Sequence, residues 1–79
     1  MNPNPFVGET TVAFTLAEPA YVIFEVFDLT GRRVATLADG VVSAGNRSLK
    51  FESGNLSAGI YICRFRAGAF SATKQMTLR

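Results

Sequence analysis

The side chains able to carry chemistry are few and scattered. The acids are Glu9, Glu18, Glu25, Asp28, Asp39 and Glu52. Four of these, Glu9, Glu18, Asp28 and Asp39, fall at expected turns or strand ends, where a solvated carboxylate is the ordinary state. Hydrolysis by paired carboxyls needs two of them on facing elements across a cleft, and the spacing offers no such pair. The chain has no histidine, so a serine or cysteine nucleophile would lack an imidazole base. Cys63, the only cysteine, shares strand parity with Tyr61 and Phe65 and is expected to be a buried, inert thiol. One cysteine and no histidine leave a structural zinc ion almost without ligands. Gly31, Gly40, Gly45, Gly54, Gly59 and Gly68 fall at expected turns, and none has the spacing of a phosphate loop. The residues therefore predict a non-catalytic protein with no cofactor, no metal and no small-molecule substrate.

Partner classes narrow in the same way. The formal net charge is only +2, and the cations are spread along the chain with no basic run longer than Arg32-Arg33. Nucleic-acid binding needs a clustered basic face, so no nucleic-acid partner is expected. No apolar run approaches the roughly 20 residues of a membrane helix. Met1-Asn2-Pro3-Asn4-Pro5 has neither a charged n-region nor an apolar h-region and does not read as a signal peptide. The chain reads instead as a segment of a longer protein. With 79 residues, 48% of them apolar, there is room for one small domain over residues 1–79. Its net stability is on the order of 5 kcal/mol.

The stretch from Tyr21 to Val34 organises the rest. Val22, Phe24 and Val26 point to one face of a strand, while Tyr21, Ile23 and Phe27 occupy the other, interrupted by Glu25. Apolar residues on both faces predict a central strand covered on both sides. Asp28-Leu29-Thr30-Gly31 then breaks the run as a turn. Residues 1–9, with Pro3, Pro5 and Phe6, read as an extended lead-in. Val12, Phe14 and Leu16 alternate with Thr11, Ala13 and Thr15, the pattern of a half-buried strand. Arg33 to Leu37 reads as a short strand ended by a turn at Ala38-Asp39-Gly40. Arg47 to Glu52 alternates with Leu49 and Phe51 inward, and Leu56 plugs the core from the loop that follows. Ile60 to Arg66 and Phe70 to Arg79 form a last hairpin around Ala67-Gly68-Ala69, with Lys74 on the apolar parity, where it must snorkel or sit near an edge. Turn signals every 8–12 residues or so, and no helical periodicity, predict an all-β, immunoglobulin-like antiparallel β-sandwich of six to seven strands.

Two resemblances attach to these elements. Gly59-Ile60-Tyr61-Ile62-Cys63 is similar to the F-strand signature of immunoglobulin domains. A second cysteine and a tryptophan are lacking, so only the tyrosine corner is expected from it. The longer resemblance takes in Asn2-Pro3-Asn4-Pro5-Phe6, Thr10-Thr11-Val12, Val26-Phe27-Asp28-Leu29-Thr30-Gly31-Arg32, Ala58-Gly59-Ile60-Tyr61 and Lys74-Gln75-Met76-Thr77-Leu78-Arg79. In this order and spacing they resemble a type IX secretion system type A C-terminal sorting domain. The immunoglobulin-like domain of flagellar hook-capping proteins shares the central pattern.

The resemblance implies a sorting signal at the C-terminus of a larger secreted protein. It implies as partners the type IX translocon and its shuttle proteins, an N-terminal cargo domain, and a sortase-like peptidase that removes the signal. It implies a periplasmic passage followed by release or display at the cell surface. Carried onto this chain, the recognition residues are Lys74, Met76, Leu78 and Arg79 in the final strand, with Gly31 and Arg32. Asp28, Gly59 and Tyr61 are the structural motif. Arg32 is placed either to be read by a partner or to pair with Asp28. The alternative reading is a passive spacer, or a binding module for carbohydrate or protein. A glycan module would expose Phe6, Tyr21, Phe27 and Phe70, which the parity and the needs of the core instead predict to be buried.

Overall fold

A computed structural model describes residues 8–79. Six strands follow in order: β1 (Glu9–Leu16), β2 (Ala20–Asp28), β3 (Arg33–Val42), β4 (Gly45–Glu52), β5 (Gly59–Ala67) and β6 (Phe70–Leu78). All neighbours are antiparallel. β1 and β4 form a two-stranded sheet, and the other four strands form a sheet in the order β3-β2-β5-β6. The two sheets pack face to face as the expected immunoglobulin-like sandwich, because neither could cover its own apolar face.

The inner faces follow the alternation of the sequence. Val12 from β1, Phe51 from β4, Phe24 and Val26 from β2, Tyr61 and Cys63 from β5, and Met76 and Leu78 from β6 form the core, with Leu56 packed against it from the loop. Phe65 joins the two sheets through its ring contacts, 5.0 Å from the Phe14 centroid and 5.7 Å from that of Phe24. Cys63 lies in this core with its Sγ 3.5 Å from Met76 Sδ, and burial pushes its thiol pKa up to about 11. It is the expected unreactive thiol.

Four expectations change. The Asp39-Gly40 pair is not a turn. β3 continues through it to Val42, with Ala38, Asp39 and Gly40 opposite Phe24, Ile23 and Val22. Cross-strand pairing outweighs the local turn preference, and the Tyr21 hydroxyl ties Asp39 to β2. The β2–β3 pairing carries two register shifts, between Phe24 and Glu25 and between Val26 and Phe27. Second, β2 is central in its sheet, but among the described residues no second layer covers its outer face. Glu25 lies there and is buried only because arginines lean over it. Third, Tyr21 and Phe70 are exposed rather than buried, at 53% and 61%. Tyr21 is on the outer face of the sheet, and Phe70 lies next to the hairpin turn, with its ring edge-on to that of Phe65. Fourth, Glu9 belongs to β1 and not to the lead-in. Phe6 and the possible seventh strand around it lie outside the described residues.

Candidate functional site at one end of the four-stranded sheet

The motif residues singled out in the sequence are dispersed along the chain, yet the sheet gathers most of them. Asp28 of β2 stands opposite Tyr61 of β5, which stands opposite Met76 of β6. One step further out, Gly59 faces Leu78. The β2–β3 turn, the start of β5 and the end of β6 therefore share one end of the sheet.

The turn is built on one carboxylate. Asp28 Oδ1 accepts from the Thr30 amide at 2.9 Å, the Thr30 hydroxyl at 2.6 Å and the Arg32 amide at 3.0 Å. The main chain closes the loop, with the Asp28 amide donating to the Arg32 carbonyl and the Gly31 amide to the Asp28 carbonyl. An aspartate that satisfies successive amides is the usual starter of such a turn. Those bonds, the Thr30 hydroxyl first, hold the Asp28 carboxyl below its ordinary pKa against the opposing cost of desolvation. Gly31 adopts φ +90°, where a side chain would crowd the backbone. Arg32 Nε sits 3.2 Å from Asp28 Oδ2, so the expected pair forms. The arginine side chain nonetheless remains 77% exposed, and such a pair adds little stability. Its guanidinium stays presented to solvent.

The neighbouring β5 start is held by the expected tyrosine corner. The Tyr61 hydroxyl donates to the Ser57 carbonyl at 2.6 Å, tying the 53–58 loop to the strand. Gly59 precedes it at φ +152°, a conformation that glycine adopts without strain.

On β6 the alternation separates the motif residues into two kinds. Met76 and Leu78 are buried in the core, so they hold the strand and do not present side chains. Lys74, two residues further in, is on the same parity but is exposed, because β6 is the edge strand. Arg79 follows the strand and is exposed. β6 pairs with β5 over Phe70–Leu78 without a register shift. At the opposite edge, β3 carries two shifts in its pairing with β2, which blunt it for further pairing.

The sequence reading missed a second polar cluster. Glu25 Oε1 accepts from Arg64 at 3.0 Å and Oε2 from Arg33 at 3.1 Å. The Arg64 guanidinium also lies 5.0 Å from the Phe27 ring centroid. The signal was present: Glu25 interrupts the middle of the apolar run of β2, and a carboxylate there needs partners. Among the described residues, no group of three or more acids or cysteines could hold a metal ion. No described helix is long and apolar enough to cross a membrane.

No curated protein and no solved structure matches the chain significantly. A family model described as the secretion system C-terminal sorting domain matches residues 1–79, so the chain belongs to that family, whose members are type IX signals that send an attached cargo through the outer membrane to the cell surface or the medium.

Proposed function

We propose that the translocon recognises this domain in its folded form, through β6 and Arg79, which follows it. The observation that carries this reading is that β6, at one edge of the described sheet, pairs with β5 without a register shift and carries Lys74 and Arg79 exposed at and beyond it. An edge strand exposes main-chain donors and acceptors to a partner strand, and alternate side chains then give specificity. Lys74 and Arg79 are the charges read by a complementary acidic surface. Met76 and Leu78 act by anchoring β6 to the core. Gly31 and Arg32, set by Asp28 at the same end of the sheet, form a second contact for the translocon or its shuttle proteins. Gly59 and Tyr61 keep β5 in place beneath β6. The domain is one unit over residues 1–79, carried by an N-terminal cargo through the periplasm and removed outside by a sortase-like peptidase. It performs no catalysis itself.

The test is a transfer assay. Residues 1–79 are fused to the C-terminus of a periplasmic fluorescent reporter, in a bacterium with a working type IX system and in a strain lacking the translocon. Translocon-dependent export is expected, and the double substitution Lys74→Ala with Arg79→Ala should abolish it while leaving the fold intact. Normal export by that variant overturns the recognition scheme. Retention of a folded wild-type fusion in both strains favours a spacer or a binding module.

A further inference from the structure

The sandwich is unequal, with four strands facing two. β3 passes into β4 through Ser43 and Ala44 alone, so β4 lies over the β3 flank of the larger sheet. The shortfall falls on the other flank, beyond β1 and over β6. Two cavities mark it, both walled by Phe14, Phe65 and Phe70. One, of about 590 Å³, runs toward the β1–β2 turn. The other, of about 150 Å³, reaches Ala72 and Lys74. Ala13, on the outward parity of β1, also lines the second, so the groove opens along the edge of β1.

That edge carries a row of unpaired main chain. The Gly8 carbonyl accepts from the Ser53 amide at 2.7 Å, and the β1–β4 register continues from there without a shift. Bonded and non-bonded positions alternate along an antiparallel pair. Thr10, Val12, Phe14 and Leu16 therefore bond toward β4, while Glu9, Thr11, Ala13 and Thr15 turn their N–H and C=O groups away from it. Phe51, Gln75 and Thr77 have further partners, and none of the three belongs to β1 or walls the groove.

We infer that β1 accepts one extended segment of a partner protein, antiparallel to it as the third strand of the small sheet, with alternate apolar side chains seated on Phe14, Phe65 and Phe70. The inference does not rest on the sorting reading.

Three features select this occupant. The unpaired row at Thr11, Ala13 and Thr15 is satisfied by another extended main chain and not by an apolar small molecule, which would fill the groove and leave the row bare. The flank sets the width. Two copies joined edge to edge through β1 would have their two-fold axis about 2.4 Å from it, half a strand spacing. β6 lies further out than that, so the two larger sheets would collide. The same ledge turns away the edge of a second packed sandwich and admits a lone strand. The neighbours set the side chains. Every second residue of the added strand points at the aromatic walls and favours an apolar group. The others flank Thr11, Ala13 and Thr15, which are uncharged, and favour a β-branched neutral group such as threonine.

The probe is the acetylated and amidated peptide Thr-Leu-Thr-Leu-Thr-Leu-Thr, titrated into the isotope-labelled chain and followed by amide chemical shifts. Shifts should concentrate in β1 and around Phe65 and Phe70. In an antiparallel pair seated this way the threonine amides face β1 and the leucine amides face away. N-methylation of the two inner threonines should therefore weaken binding at least about tenfold, and N-methylation of the two outer leucines should leave it within about twofold. The peptide Thr-Thr-Leu-Leu-Leu-Thr-Thr, of the same composition without the alternation, should bind at least about tenfold more weakly. Phe70→Ala should weaken binding about tenfold with little change in the thermal midpoint, because that ring is largely exposed. Equal losses from the two methylations, equal binding of the two sequences, or shifts confined to another face would each overturn the inference. So would a chain that sediments as a dimer with protected β1 amides and ignores the peptide.

Discussion

At the residue scale, the electrostatics are concentrated on Glu25 and Asp28, and each does local work. Arg64 first and Arg33 second, by donating hydrogen bonds, hold the Glu25 carboxyl below its ordinary pKa, with desolvation pulling the other way. Because the folded value is depressed, the stabilisation is present above the unfolded value of about 4.3 and is lost as pH falls through the lower folded value. Both arginines remain about half exposed at their side chains, which discounts the gain. Glu25→Gln should therefore cost about 1 kcal/mol at pH 7. The difference from wild type should vanish in denaturant titrations at pH values below the folded pKa, where the parent side chain is protonated as well. A difference that persists undiminished in acid would mean that Glu25 acts through shape and not charge. Glu25 is paired with two arginines, and Asp28 bonds within its own turn.

At the element scale, the β2–β3 turn and the β5 start are what set the end of the sheet. Both depend on glycines at positive φ. Gly31→Ala meets no neighbouring atom, so its cost is the backbone strain alone, about 1–2 kcal/mol. Equilibrium unfolding should report that loss, with Arg32 displaced from Asp28 in the amide spectrum. An unchanged stability would show that the turn can adopt another conformation at no cost. The position of this turn was legible, because Asp28, Thr30 and Gly31 carry turn chemistry that works over four residues. The length of β3 was not legible. Asp39-Gly40 carries the same local signal, but there a long strand on one side and the Tyr21 hydroxyl offered more than a turn.

At the scale of the whole molecule, the stability margin is narrow. A chain of 79 residues has a net stability on the order of 5 kcal/mol. Phe24 is the largest of the fully buried side chains, and removing such a ring costs about 3–5 kcal/mol. Phe24→Ala should remove most of that margin, leaving up to about half of the chain unfolded at 25 °C, seen as a second, poorly dispersed set of amide signals, and a fusion bearing it should be exported less if the folded domain is what the translocon reads. Export of an unfolded Phe24→Ala fusion would move recognition to a linear segment. The sheet places Asp28, Tyr61 and Met76, far apart in the chain, side by side.

The sequence by itself determined the class of the fold and the inward residues of most strands. The reason is that strand parity is local: Val12, Phe24, Val26, Tyr61, Cys63, Met76 and Leu78 announce their face through their neighbours two residues away. It also determined the Asp28 turn and the tyrosine corner, whose hydrogen bonds span four residues each. Only the tertiary structure decided what covers each face. Glu25 in an apolar strand is explained by Arg33 and Arg64, the latter 39 positions away. Phe70 follows the same alternation as Met76 and Leu78 yet stays exposed, because the two-stranded sheet does not reach over the hairpin end of the four-stranded one. Parity says which way a side chain points, but whether anything lies in that direction depends on how many strands each sheet holds, and that is set by pairings between residues far apart in the chain.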